Sequence, residues 1–301
     1  MNNYIISDLV MENSIIEKIR DYGSNNGVYS EEENSVARIC RLMIATEEQA
    51  KKYGYRCGRY ITVYTRELWR VETEETADIV ATVSHELRTL IKRNCTDTPL
   101  SDLSVLVVGI GNRKITPDGI GPATIDRLMV TRHLKEVAPS VFRGLGRCSV
   151  SAISCGVMGD TGMQSLEIIK GITDQISPNV VLAVDSLCAK SYERLAATVQ
   201  LSDNGIVPGA GIGQGKYAVD REHIGIPVIA IGVPTVVSAA TLIDDAVRKS
   251  GQNKFNGKLI SVLEDTKGLF VAPKECDLIT SRVSDILARA IDDALCVISD
   301  V

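Results

Sequence analysis

The chain predicts an α/β fold: a mostly parallel sheet flanked by helices, with an N-terminal strand pair and helix added at its edge. The first observation is alternation. Short β-branched runs (Val105–Val108 with Ile110, Val180–Val184, Ile226–Pro234) are separated by stretches of helical period, the pattern of parallel strands joined by crossover helices. The second is composition, 45% hydrophobic residues but only 4% aromatic, so the core is Val, Ile, Leu and Ala. The third is length: 301 residues suffice for one large α/β domain or two small ones and can bury a substantial core.

Taken in order, residues 1 to about 35 are polar, with a turn signal at Asn25-Asn26-Gly27 and a charge run at Glu31–Glu33, and read as a surface segment or removable arm. Val36–Ile44 alternates as a strand. Thr46 and Gln49 form a capping box for a short helix, and Gly58–Thr65 is the partner strand. Thr73–Arg93 is an amphipathic helix with Ala77, Val80, Val83, Leu87, Leu90 and Ile91 on one face. The main unit begins near Leu103. Its first strand breaks at Gly109, Gly111 and Asn112, and Pro122 sits where a helix would begin, with helical period continuing to Val137. Arg147–Ser154 is a strand, Gly156–Gly162 a glycine loop, and a helix runs through Leu166, Ile168 and Ile169. The strand Val180–Val184 stops at Asp185, followed by a strand at Ala197–Asp203 and the long glycine-rich loop Asn204–Gly215, whose length and composition suit close approach to a ligand or another backbone. After Ile226–Pro234 come a helix from Thr235 to Gly251, a short strand within Lys267–Glu275 and a terminal helix Val283–Val297.

Asp118 and Asp185 stand at the carboxyl ends of apolar strands, where open α/β sheets place their ligands. If those strands are neighbours, the two face one crevice, and their repulsion there separates their pKa values for acid–base work. The alternative is that each only caps a helix or fixes a turn. The string GIGNRKITPDGIG does not meet the dinucleotide fingerprint, which would need glycine at Lys114.

A net charge of −5 argues against sequence-independent nucleic-acid binding. There is no apolar run of membrane-spanning length and no signal-peptide pattern at the N-terminus, so a cytoplasmic protein is expected. The eight cysteines form no C-x-x-C pair and are expected to be reduced, with Cys155 and Cys188 the only candidates for a reactive thiol. His85, His133 and His223 do not directly follow sheet strands, so neither metal nor cofactor is expected.

The ordered set VVGIGNRKITPDGIGP, LMVTRHL, SAISCGVMGDTG, LAVDSLCAKSYERLAATVQLSDNGIVPGAGIG and GIPVIAIGVPTVV, with GRYIT and APKECDLI, resembles the germination protease family of spore-forming bacteria from about Ala37 to the C-terminus. The resemblance implies a fold similar to hydrogenase-maturation endopeptidases and an atypical aspartic endopeptidase that degrades small acid-soluble spore proteins during germination. It implies catalytic aspartates at Asp118 and Asp185, the two residues the strand argument selects. It also implies a zymogen that cuts its own N-terminus: Ser7-Asp8-Leu9-Val10-Met11-Glu12 fits the family's cleavage pattern, making Asp8–Leu9 the processed bond, residues 1–8 the propeptide and 9–301 a single peptidase domain, with 9–100 as edge subregion and 101–301 as core. On this reading the loops containing Gly156, Gly159, Gly209 and Gly211 line a substrate groove, Lys190 or Arg194 holds the substrate's acidic side chain, the enzyme is a homotetramer, and it acts in the forespore and spore core. The chain departs from the family pattern at Lys190, where arginine is expected, at Cys155, where proline is, and at Asp160, where an uncharged residue is. Two other readings are a metal-dependent peptidase of the hydrogenase-maturation type, with both aspartates as ligands, and a non-catalytic spore protein that binds a peptide.

Overall fold

The computed structural model describes residues 6–13, 16, 28–209, 217–251, 257–266 and 268–297. The nine strands β1 (Tyr29–Glu33), β2 (Arg38–Ile44), β3 (Gly58–Tyr64), β4 (Ser104–Ile110), β5 (Ser149–Gly156), β6 (Val180–Ala189), β7 (Thr198–Ser202), β8 (Val228–Ser238) and β9 (Phe270–Val271) form one sheet in the order β1-β2-β3-β7-β8-β6-β4-β5, with β9 against β8. The block β5-β4-β6-β8 is parallel, as the strand–helix alternation requires. Pairing on the other side of β8 is antiparallel, so the predicted N-terminal strand pair continues the main sheet through β7.

Both faces of the parallel block are buried. Along β4, Val105 and Val107 face a layer made by α2 (Thr73–Asn94) and α7 (Cys276–Ala294), while Leu106, Val108 and Ile110 face α4 (Ser165–Ile176). This period of two, with apolar residues on either side, explains why the strands read as unbroken hydrophobic runs. Beyond them, α1 (Glu47–Tyr53) covers a second cluster on the antiparallel half, where Val10 and Met11 of the N-terminal segment pack against Cys40, Leu42 and Tyr60. The Thr46 cap of α1 forms as predicted: Thr46 Oγ1 accepts from Gln49 N at 3.2 Å, and Gln49 Oε1 accepts from Ala45 N at 2.7 Å.

Six elements differ from the sequence expectations. Glu31–Glu33 lies in the edge strand β1 rather than a free arm, and its charge is met by β2: Arg41 pairs with Glu32 at 2.9 Å and Arg38 with Glu31 at 3.5 Å. A row of charges on an edge strand also discourages pairing with other chains. The helix predicted from Pro122 to Val137 stops early, as α3 (Ile120–Ile125), with only a short turn later at Leu134–Val137. The reason is Thr131, fully buried, whose hydroxyl donates to Cys148 O at 2.8 Å and accepts from Val150 N at 2.9 Å, so the chain is drawn to the free edge of β5. β6 runs four residues past Asp185, and β8 extends to Ser238 before α5 (Ala239–Lys249) starts. Helix α6 (Gly257–Thr266) was not foreseen, and the last strand is only two residues long.

The glycines of the first strand–helix turn permit contact between backbones. A Cβ on Gly121 would lie 2.2 Å from Ile110 O and 2.5 Å from Val184 O, so only glycine lets the first turn of α3 rest on β4 and β6. Gly121→Ala is expected to lower stability by about 3 kcal/mol or more in urea denaturation, because backbone atoms must shift. Gly171→Ala, on the exposed face of α4 with open space around it, should instead stabilise by about 0.5–1 kcal/mol. Equal effects of the two substitutions would contradict the interlocked turn.

Candidate active site

Asp185 continues the Val181–Ala183 row of β6 past the end of α4's cover. It is 5% exposed, and its carboxylate accepts a hydrogen bond from Ser186 N at 2.8 Å. Asp118 comes from a 3-10 turn, Thr116–Asp118, immediately before α3, and accepts from Asn112 N at 2.8 Å. Gly111, with φ of 119°, makes this turn possible: a Cβ there would sit 2.1 Å from Asp118 O. Neither carboxylate caps a helix, but Asp118 does fix the turn that leads back to Asn112, as the alternative held, while also lining the cavity. Both line one cavity of about 930 Å³.

Burial, with no basic side chain of the described residues acting on either carboxyl, raises both. It pushes the Asp118 carboxyl up to about 6, against the pull of the Asn112 amide. Asp185 is pushed well above the usual carboxylate range, first by its complete burial and then by the negative charges of Asp118 and Asp8. Of the two, Asp185 is therefore the carboxyl held more firmly in its protonated form.

The N-terminal segment lies along the same cavity, which Ser7, Asp8 and Val10 also line. Asp8 is bonded to β6 at both ends: its N–H donates to Cys188 O at 2.8 Å, as a strand neighbour's would, and its carboxylate, in place of a backbone carbonyl, accepts from Cys188 N at 2.8 Å. Burial raises the Asp8 carboxyl to about 6, in spite of that bond. Leu9 is buried among Leu187, Ala189, Leu195 and Ile206. Glu12 receives two consecutive backbone amides, Lys190 N at 2.5 Å and Ser191 N at 3.0 Å. Gln200 of β7 spans the segment, donating to Asp8 O at 3.1 Å and accepting from Val10 N at 2.8 Å.

The other expected site residues are placed as follows. Lys190 meets the segment through its backbone N–H, bonded to Glu12, and the Arg194 guanidinium lies 4.2 Å over the Tyr64 ring; the Asp8 carboxylate is held by Cys188 N rather than by either side chain. Because the contact uses the backbone, lysine in place of arginine leaves it unchanged. Gly156 ends β5 and Gly159 lies in the helical turn Met158–Thr161 after it, and neither lines the cavity. Gly209 does, and Gly211 lies outside the described residues. Asp160 forms an ion pair with Lys114 at 2.7 Å, tying that glycine loop to the loop after β4. Cys155 and Cys188 are buried, which raises their thiols to about 11 and about 12, so neither is a thiolate at neutral pH. No group of three His, Cys, Asp or Glu side chains able to hold a metal is assembled among the described residues, and no histidine lines the cavity. Gln200, Cys188, Lys190 and Ser191 all fall within the stretch LAVDSLCAKSYERLAATVQLSD, but neither a glutamine side chain nor a backbone N–H marks itself there as a site group. Only the strand assignment of Ala197–Asp203 brought Gln200 near the site.

Comparison with known proteins gives the class and then the family. A peptidase family model described as Germination protease matches residues 7–258. Curated germination proteases from Clostridium perfringens (37% identical, covering 96% of this chain and 94% of theirs) and Caldanaerobacter subterraneus (36%, 97% and 94%) match nearly end to end. That of Priestia megaterium is 39% identical over 80% of this chain and 63% of its own. The chain is therefore a protease and belongs to the germination protease family. Among solved structures, a NiFe hydrogenase maturation protease from Thermococcus kodakarensis aligns with a TM-score of 0.35 and 16% identity, over 67% of this chain and 98% of that one.

The carboxylate pair sets a stability test. Folded-state pKa values above the unfolded value mean that the folded chain binds the extra protons. The stability these groups contribute is therefore present at low pH and is lost as pH rises, through about 4 to 6 for Asp118 and higher for Asp185. Asp185→Asn should raise the melting temperature at pH 8 by about 3 °C or more and narrow the gap at pH 4.5. A variant that melts lower than the native chain at pH 8 would contradict this electrostatic account.

Proposed function

We propose that this chain is an aspartic-type endopeptidase acting on small acid-soluble spore proteins, and that it first processes its own Asp8–Leu9 bond. The supporting observation is the path of residues 6–12 along the cavity of the carboxylate pair, with Asp8, Leu9 and Glu12 each in a fitted place. The segment lies there as a substrate would.

The more exposed Asp118, ionised near neutral pH, accepts a proton from a water whose oxygen attacks the Asp8 carbonyl carbon. The carbonyl π electrons move onto oxygen. As the intermediate collapses, the bond to the Leu9 nitrogen breaks, and the proton carried by Asp185 reaches the departing amine. Burial and mutual repulsion separate the pKa values of the two carboxyls and so allow these opposite roles. The same reading takes in the spore core as the compartment and a homotetramer as the assembly. Every step of this reading is carried by the two carboxyls and water, and a metal-dependent reading remains as its alternative.

Incubation of the full chain should release residues 1–8, as seen by mass spectrometry. Asp118→Asn and Asp185→Asn should each slow release by about 10³-fold or more while the chain stays folded. Release should survive EDTA. A chain that stays whole, or an Asp variant that cuts at the native rate, would refute the reading, and loss of release in EDTA would turn it toward a metal-dependent peptidase.

A further inference from the structure

Three positions on adjacent strands form one cross-strand row. Gln200 of β7 is paired with Gly232 of β8, and Gly232 is paired with Asp185 of β6. Paired residues share a face of the sheet, so the carboxamide and the buried carboxylate stand on either side of a residue without a side chain, about 10 Å apart at the backbone. All three line the cavity. The gap is kept open by packing: a Cβ on Gly232 would lie 2.4 Å from Leu187 Cδ1.

The N-terminal segment meets this row at the bond proposed to be cut. Gln200 Nε2 donates to the Asp8 carbonyl at 3.1 Å, and Gln200 Oε1 accepts from Val10 N at 2.8 Å. Among the two ways of placing the amide, only this one gives the carbonyl a donor and the N–H an acceptor. The side chain thus grips the backbone on both sides of Leu9, as a neighbouring strand would. Such a grip ignores side-chain identity and fixes the register of the chain.

We propose that Gln200 is a catalytic residue of this protease, polarising the scissile carbonyl and holding the developing oxyanion through Nε2–H while Oε1 locks the register through the N–H two residues on. This rests on the cleavage reading above. In the step itself, the electron pair displaced from the carbonyl by the attacking water collects on the oxygen that Gln200 already contacts. When that pair returns, the bond to the Leu9 nitrogen breaks, so the amide is needed for stabilisation and transfers no proton. A neutral donor suits the place, because a cation would lower the pKa of the carboxyl that must keep its proton.

The test uses the full chain and two substitutions. Gln200→Glu keeps the acceptor and the shape but removes the donor, and Gln200→Met removes both. Release of residues 1–8 by each is timed by mass spectrometry beside the native protein, and chain that has completed release is then assayed on a synthetic peptide of residues 4–14. Both should lose about 10²–10³-fold in kcat, and Gln200→Glu should keep KM within about tenfold. Thermal melting verifies the fold. From the substrate's side, an ester in place of the peptide's Leu9–Val10 amide deletes the N–H without touching the protein, and should raise KM at least about tenfold for the native enzyme. Folded variants with kcat within about threefold of native would overturn the catalytic role, and an ester peptide cut with unchanged KM would overturn the register role. A native chain that releases nothing would instead bring down the cleavage reading, leaving Gln200 as a mere holder of the segment.

Discussion

Placing two carboxyl groups in one crevice with no basic side chain acting on either, among the described residues, is the constraint on which the rest of this structure depends; Arg56, which lines the same cavity, is paired with Asp220. An acid deprived of water and of a positive partner keeps its proton or destabilises the fold, and two together share what protons they have. Asp185 has one backbone amide and no basic neighbour. Asp118 differs by one step, more open and bonded to Asn112 N. In the reading proposed here, that small asymmetry gives one group the character of a base and the other that of an acid. The fold bears it because the surrounding sheet is apolar on both faces and closely packed.

Asp118 reaches the pair through backbone geometry. Its turn is pinned by Gly111, and the helix behind it rests directly on β4 and β6 through Gly121. A methyl group at either position would push the aspartate away from its partner. The glycines in GIGNRKITPDGIG thus serve contact between backbones, and this accounts for a glycine-rich strand–helix turn that fails the dinucleotide spacing.

Much of this was legible in the sequence, and the reasons for the rest are specific. The parallel strands could be read because both faces are buried, which leaves an uninterrupted apolar run. Asp118 and Asp185 could be read because each follows such a run. The break after Ile125 could not, since it depends on Thr131 reaching the backbone of β5, a contact between distant parts of the chain. The acidic strand β1 was hidden because its charges are answered by arginines on its neighbour. Most of the peptide-holding groups were hidden for a deeper reason. Cys188, Lys190 and Ser191 act through N–H groups that every residue but proline possesses, and Gln200 matters by its pairing with Gly232. Lys190 and Arg194 drew attention as cations, yet the acidic residues of the segment are met by amides.

Recognition by backbone amides suits a site that must keep its own acids protonated. Arginine or lysine beside Asp8 would bind that carboxylate more tightly, but its field would reach Asp185 as well and draw off the proton. Amide donors give direction without net charge. They hold the acidic side chains of the segment while leaving the dyad's balance to burial alone. The same choice limits how tightly the ground state is bound, since a neutral donor contributes less than a charged one. Tight ground-state binding would in any case add nothing to the rate of bond breaking. In the reading proposed here, the interaction that grows during the reaction is the one at the Asp8 carbonyl, where negative charge appears. The sheet places an uncharged donor there, across the row from the acid.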